Sequence, residues 1–246
     1  MKIKDAVVLV TGSNRGLGLA LARASLAAGA RRVYAGARDP ATLANLVREG
    51  EGRVTPLTLD VTNEQSLARA AAEAPDVTLL FNNAGVLASF GVLSSTPPQI
   101  AQDFAINCFA LLATTQAFLP ALERAGANGS AAIVNVLSVV SLASMPGLGG
   151  YSASKAAAYS LTQALRSDLA PKRIRVHAVL PGAIDTDMVR AMDMPKTSPE
   201  SVAQGVLAGV ERGEPEIFPD PMSRELYALW KADPKGLQRQ LGQVLD

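Results

Sequence analysis

Seven short runs of β-branched and other apolar residues punctuate this chain, with segments rich in alanine and leucine between them. The runs are Val7 to Val10, Arg32 to Ala35, Val54 to Leu59, Val77 to Phe81, Ala132 to Leu137, Ile174 to Leu180 and Glu216 to Phe218. Most are apolar almost without a break, so both faces of each strand have to be covered, which is the condition of a parallel sheet. Parallel strands need long crossovers, and predicted helices around 16–28, 40–49, 63–74, 99–124, 150–169 and 199–212 supply them. Ser198-Pro199-Glu200 opens the last of these helices and Gly213 stops it. The pattern predicts an α/β fold: a doubly wound, Rossmann-type, mostly parallel sheet of about seven strands with helices on both faces.

A chain of 246 residues fits one large domain, expected over 1–246 with a helical extension at about 223–246 that carries Trp230. Hydrophobic residues at 48% and charged residues at 18% exclude a disordered chain. No apolar run approaches the ~18 uninterrupted residues of a membrane span. The N-terminus lacks the longer apolar stretch and cleavage site of a signal peptide, and the single Cys108 allows no internal disulfide, so a cytoplasmic setting is expected. A net charge of +1 is far from the basic excess of a nucleic-acid binder. No His/Cys/Asp cluster has metal-ligand spacing, and His177 lies inside a strand, so no metal is expected.

Directly after the first run comes Gly12-Ser13-Asn14-Arg15-Gly16-Leu17-Gly18, opening into an Ala/Leu helix. Glycines permit a tight turn and close backbone approach to a pyrophosphate, which the free N–H groups of the helix start then hold. The second run leads to Arg38, where an NAD-binding strand of this type ends in an acid for the ribose hydroxyls. Arg38 and Arg15 together form a candidate clamp for a 2′-phosphate, pointing to NADP(H). At the third strand's end, Asp60 is placed to accept from an adenine amino group, with Val61 beside the ring. Asp60 also suits the cap of the next helix, a role open equally to Thr62 and Asn63.

Tyr151 and Lys155 stand four residues apart on a predicted helix and so share a face. A nearby cation favours a phenolate, so Lys155 is expected to lower the Tyr151 pKa from its ordinary value of about 10. Ser138 offers a neutral hydroxyl to hold a carbonyl or alcohol oxygen beside that phenol. The chemistry suggested is proton transfer coupled to hydride transfer.

The motifs T-G-x-x-x-G-x-G at 11–18, N-N-A-G at 82–85, Asn107, Ser138, Y-x-x-x-K at 151–155 and P-G-x-x-x-T at 181–186 follow one another in order. In this the chain resembles the short-chain dehydrogenase/reductase family in its compact single-domain form, from Val7 to about Phe218. The resemblance implies an NADP(H)-dependent oxidoreductase acting on a carbonyl or secondary alcohol. Tyr151 is then the proton donor or base, Lys155 the group that tunes it and binds the nicotinamide ribose, and Ser138 the holder of the substrate oxygen. Asn107 resembles the asparagine whose helix distortion holds a water of a proton relay. Asn82 looks structural, Asn83, Ala84 and Gly85 should line the cofactor, and Pro181, Gly182, Ile184 and Thr186 should bind at its carboxamide end.

Leu137 and Ala110 stand where the family often has serine and glycine, and the tail departs from the glycine-ended finish of many tetrameric relatives. A tetramer through that surface is not expected, which leaves a homodimer or a monomer. Val139, Val140, Leu142, Met145, Leu148, Met188, Met192 and Met194 are expected to form an apolar pocket for a small-molecule substrate. Two rival classes are set aside on residues. An isomerase or lyase using nicotinamide transiently usually has G-x-x-G-x-x-G and a second lobe, and a redox-sensing NADP(H)-binding regulator typically loses the tyrosine or lysine.

Overall fold

The computed structural model describes residues 1–242, so positions 243–246 of the expected C-terminal extension lie outside the described residues. Among the described residues seven strands, β1 (Val7–Thr11), β2 (Arg32–Ala37), β3 (Val54–Thr58), β4 (Leu79–Asn82), β5 (Ala131–Val136), β6 (Ile174–Val179) and β7 (Glu216–Ile217), form one sheet. Its order is β3-β2-β1-β4-β5-β6-β7, and every neighbouring pair is parallel. Val8 of the central β1 pairs with Val33 on one side and Leu79 on the other. The strand order reverses there, and such a point opens a crevice at the carboxyl ends of the strands.

The helices are α1 (Gly16–Ala27), α2 (Ala44–Glu49), α3 (Glu64–Glu73), α4 (Pro97–Phe104), α5 (Ala110–Ala127), α6 (Gly149–Leu169), α7 (Pro199–Arg212), α8 (Pro221–Ala232) and α9 (Pro234–Gly242). Side chains alternate along a strand, so β1 serves two cores at once. Val8 and Val10 pack with Leu21 of α1 and Val206 of α7, whereas Val7 and Leu9 pack with Leu67 of α3 and Phe118 and Leu122 of α5. Burying each such side chain stabilises the fold by about 1.5–3 kcal/mol. This double duty is why the runs are apolar on both faces.

Several boundaries shift by one or two residues, and three departures have a local reason. The fourth strand starts at Leu79 instead of Val77 because Thr78 Oγ1 accepts the Val7 N–H at 3.0 Å, where the ladder would begin. The segment at 40–49 begins as a 3-10 turn over Pro40–Leu43, opened by Asp39 accepting the Ala41 N–H at 2.9 Å. The helix expected over 99–124 starts at Pro97, where Gln99 accepts the Thr96 N–H at 2.8 Å, and is interrupted by a π-helical turn at Ala105–Phe109 before α5. By length and composition Pro97–Ala127 is apolar enough to cross a membrane, but half of its most apolar stretch is buried inside this fold. The frame of α7 is as read: Ser198 Oγ accepts the Ser201 N–H at 3.2 Å, and Gly213 stops it at φ 76°.

The C-terminal extension folds back on the sheet. Phe218 stacks on Tyr227 at 3.9 Å between ring centres, Tyr227 on Trp230 at 5.9 Å, and Leu226 packs with Leu137 and Val139 beneath the turn that follows β5.

Candidate functional site

A cleft of about 950 Å³ runs along the carboxyl ends of the central strands. At one end lies the glycine loop. Gly12 and Gly16 have φ of 67° and 54°, the left-handed region that favours glycine. A Cβ at Gly18 would overlap the Gly12 carbonyl and Asn83 Nδ2, so the helix start can lie this close to the loop only without a side chain. The first turn of α1 has no side-chain cap and no acidic residue, and Gly16, Leu17 and Gly18 line the cleft. A bare helix N-terminus with free N–H groups fits a pyrophosphate. Asn14 and Arg15 also line the cleft. Ser13 corrects the expectation: it is fully buried, its hydroxyl donates to Val10 O at 2.5 Å and its N–H to Gly36 O at 2.9 Å. It braces the loop from behind.

Further along, Arg38 is exposed at the end of β2 and, among the described residues, makes no ion pair or side-chain hydrogen bond. Arg15 instead lies 3.5 Å from Asp187, so the two guanidinium groups are not in equivalent states. Asp60 and Val61 line the same end. Asp60 Oδ1 accepts the Thr62 N–H at 2.9 Å and the Thr62 hydroxyl at 2.7 Å, which holds its carboxyl below the usual range. The cap of α3 is Asn63, which accepts the Ser66 N–H at 2.8 Å.

Asn83, Ala84 and Gly85 form the floor. Asn83 Nδ2 donates to Thr11 O at 2.8 Å, and Thr11 Oγ1 accepts the N–H groups of Asn83 and Ala84, both at 2.9 Å. Asn82 ties strands together, donating to Asn135 Oδ1 at 2.9 Å and Thr115 Oγ1 at 3.1 Å. On the far wall Pro181, Gly182, Ile184 and Thr186 line the cleft, and Gly182 N–H is held by the buried Asp220 at 3.0 Å.

Ser138, Tyr151 and Lys155 meet at the middle of the cleft. Ser138 opens a 3-10 turn (Val139–Ser141) at the end of β5, and α6 presents Tyr151 and Lys155 on one face. Lys155 is buried; its Nζ donates to Val136 O at 2.8 Å and lies 5.8 Å from the centre of the Tyr151 ring. A Cβ at Gly85 would stand 3.6 Å from that ammonium. Burial pulls the Lys155 pKa down to about 8, with Asp103 and Cys108 opposing. The expected depression of Tyr151 by Lys155 is not what the geometry produces. Burial and then Asp103 push the phenol up, and Ser138 offsets part of this, so Tyr151 is a neutral hydroxyl at physiological pH. Asn107 lies in the π turn but off the cleft wall: its amide is spent on Val86 N and O, both at 2.9 Å, and on Ser154 Oγ at 3.0 Å.

The family model described as short chain dehydrogenase matches residues 6–196. The chain belongs to this family of oxidoreductases. Among curated relatives of this short-chain dehydrogenase/reductase, a carbonyl reductase [NADPH] 2 from Sus scrofa is 34% identical over 192 residues, 78% of this chain and 77% of that one. A cyclopentanol dehydrogenase from Comamonas is 34% identical over 205 residues, 80% of each. Among solved structures, a short chain dehydrogenase from Burkholderia cenocepacia J2315 in complex with NADP superposes with a TM-score of 0.91 at 40% identity, covering 98% of this chain and 99% of that one.

Most of the apolar residues expected on the substrate side lie off the wall of the short-chain dehydrogenase cleft. Of the eight apolar residues proposed from sequence, Met188 lines the cleft, whereas Val139, Val140 and Leu148 are buried and Leu142 packs into the core beneath the turn. Met145, Met192 and Met194 are not on its wall. Val86, Leu87, Gln102, Ile106, Leu137 and Val189 are there instead. Asp103 and Asp220 also escaped notice, because an aspartate on a helix or before Pro-Met-Ser reads as surface or as a cap. Asp220 caps α8, accepting the Ser223 N–H at 2.8 Å, and also grips Gly182.

Proposed function

We propose that this chain is an NADPH-dependent reductase of apolar ketones or aldehydes that also oxidises the corresponding alcohols. The observation that carries the reading is a neutral Tyr151 phenol beside Ser138 and Lys155 in a cleft whose other end presents an unpaired Arg38. The nicotinamide, when bound, supplies or accepts the hydride at the substrate carbon. Ser138 holds the carbonyl oxygen by donating to it, and Tyr151 gives its proton to that oxygen as negative charge develops there. Lys155, cationic below about pH 8, stabilises the phenolate left behind and can donate to a ribose hydroxyl. Arg38, joined by Arg15, holds the 2′-phosphate, and the bare start of α1 holds the pyrophosphate.

The substrate wall of Val86, Leu87, Ile106, Leu137, Met188 and Val189, with Gln102 as a lone amide, supports an apolar substrate that carries at most one polar group besides its carbonyl. The named activities of the carbonyl reductase and cyclopentanol dehydrogenase relatives fit that class. The test is a panel of alicyclic, aromatic and aliphatic carbonyl compounds followed by NADPH and NADH oxidation. Tyr151→Phe is expected to keep NADPH affinity while turnover falls by about 10²–10⁴-fold. Undiminished turnover would remove Tyr151 from the chemistry, and no oxidation across the panel would favour a non-catalytic NADP(H) binder.

A further inference from the structure

Val86 and Leu87 form one wall of the cleft, yet the segment 86–89 that carries them belongs to no strand. Backbone N–H groups that leave the ladder inside a protein need other acceptors. Here two side chains four residues apart, and so on one helical face, provide them. Asn107 takes both the N–H and the carbonyl of Val86 at 2.9 Å. Asp103, with no exposed surface, accepts the Ala88 N–H at 2.9 Å, the Ser89 N–H at 3.1 Å and the Ser89 hydroxyl. Three donors on one buried group call for a carboxylate, because the amide of an asparagine has a single acceptor oxygen and would turn donors toward donors.

The clamped segment also seats the catalytic helix. Phe90 O accepts the Gly149 N–H at 3.2 Å, and a Cβ at Gly150 would overlap Ser89 Oγ. Gly150 immediately precedes Tyr151. A chain of direct contacts therefore runs from Asp103 through Ser89 to the first turn of α6. We propose that Asp103 is a positioning residue for the reaction, holding from behind both the Val86–Leu87 wall and the seat on which the Tyr151 turn rests. This rests on the reductase reading.

The carboxylate also acts through its charge, which favours the protonated forms of both Tyr151 and Lys155. The other groups that act on the pair are Cys108 from the π turn and Ser138 from the turn after β5. Removing the charge of Asp103 therefore moves both proton losses to lower pH.

The test uses the full chain with Asp103→Asn and Ser89→Ala. In Asp103→Asn, amide exchange at Ala88 and Ser89 should speed up at least tenfold while Val86, held by Asn107, stays protected. The alkaline limb of NADPH-dependent reduction should move down by about one pH unit, with NADPH affinity little changed. Ser89→Ala keeps the carboxylate, so it should raise KM for the carbonyl substrate and leave the limb in place. Exchange and pH limb both matching wild type in Asp103→Asn would overturn the proposal. Should that variant not fold, an unchanged KM for the carbonyl substrate in Ser89→Ala would overturn it. If the wild-type chain reduces no carbonyl compound, the reductase reading fails on its own, and the exchange measurement still decides whether Asp103 is the clamp.

Discussion

Replacing Arg38 with aspartate should move this cleft from NADPH toward NADH. Arg38 is exposed and makes no bond among the described residues, so its removal costs no packing and no internal partner. What it can lose is toward the ligand, where hydrogen bonds to charged groups contribute about 1.5–3 kcal/mol. Aspartate also places a like charge against the 2′-phosphate and offers an acceptor to the ribose hydroxyls of NADH, adding about 1 kcal/mol to the difference. The sum is about 2.5–4 kcal/mol, and since 1.4 kcal/mol is tenfold, the ratio of kcat/KM for NADPH over NADH should fall by about 10²–10³-fold. Because the site faces water, the shift should shrink as salt rises past the range where the Debye length is about 10 Å.

Arg15 serves as the internal control. Its 3.5 Å pair with Asp187 has 73% and 51% of the two side chains exposed, and such pairs are worth about 0–1 kcal/mol. Arg15 must leave that pair to reach a phosphate, so Arg15→Ala should shift the ratio by about tenfold less than Arg38→Asp. Steady-state kinetics with both reduced cofactors, supported by their dissociation constants, provide the assay. A ratio in Arg38→Asp within threefold of wild type would refute the clamp.

Two further outcomes follow from the same geometry. Gly18→Ala should cost about 1–3 kcal/mol in urea unfolding, because its Cβ meets the Gly12 backbone carbonyl, and should weaken NADPH binding at least tenfold; a variant as stable and as tight as wild type contradicts the close approach. The buried Lys155 titrates at about 8 when folded and 10.5 when unfolded, so between those values the unfolded chain holds more protons and stability rises with pH. Relative to Lys155→Met, the wild type should gain up to about 3 kcal/mol across that window and lose it again as pH falls through 8. A constant difference from pH 7 to 10 would show that Lys155 is not desolvated.

The sheet was legible because burying both faces of a strand leaves a mark that needs no partner to read: Val7 to Val10 is apolar whichever core each residue joins. The convergence of Ser138, Tyr151 and Lys155 was legible too, since a strand end and one helical face limit where they can go. The substrate wall was not. Val139, Val140 and Leu148 carry the composition of a pocket, but nothing local distinguishes a residue facing the cleft from one facing the core beneath it, and all three are buried. Ser13 failed for a related reason: glycine spacing marks the loop, whereas the direction of the one hydroxyl within it depends on Val10 across the turn. The charge state of Tyr151 was misread because spacing to Lys155 is visible in sequence and burial is not.

These misses share a physical origin. The walls of the cleft are stretches that leave the β ladder, so acceptors from elsewhere in the chain must satisfy their N–H groups. Thr11 does this for Asn83 and Ala84, Asn107 for Val86, Asp103 for Ala88 and Ser89, and Asp220 for Gly182. Each acceptor is buried, and each sits between 14 and 73 residues away from the groups it holds. An aspartate in Gln102-Asp103-Phe104 looks like any helix-surface acid until the fold brings Ala88 and Ser89 to it. The cleft's shape is therefore written in buried acceptors whose donors are remote. Substitution of Asp103 or Asp220, neither of which lines the cleft, should still disturb its walls.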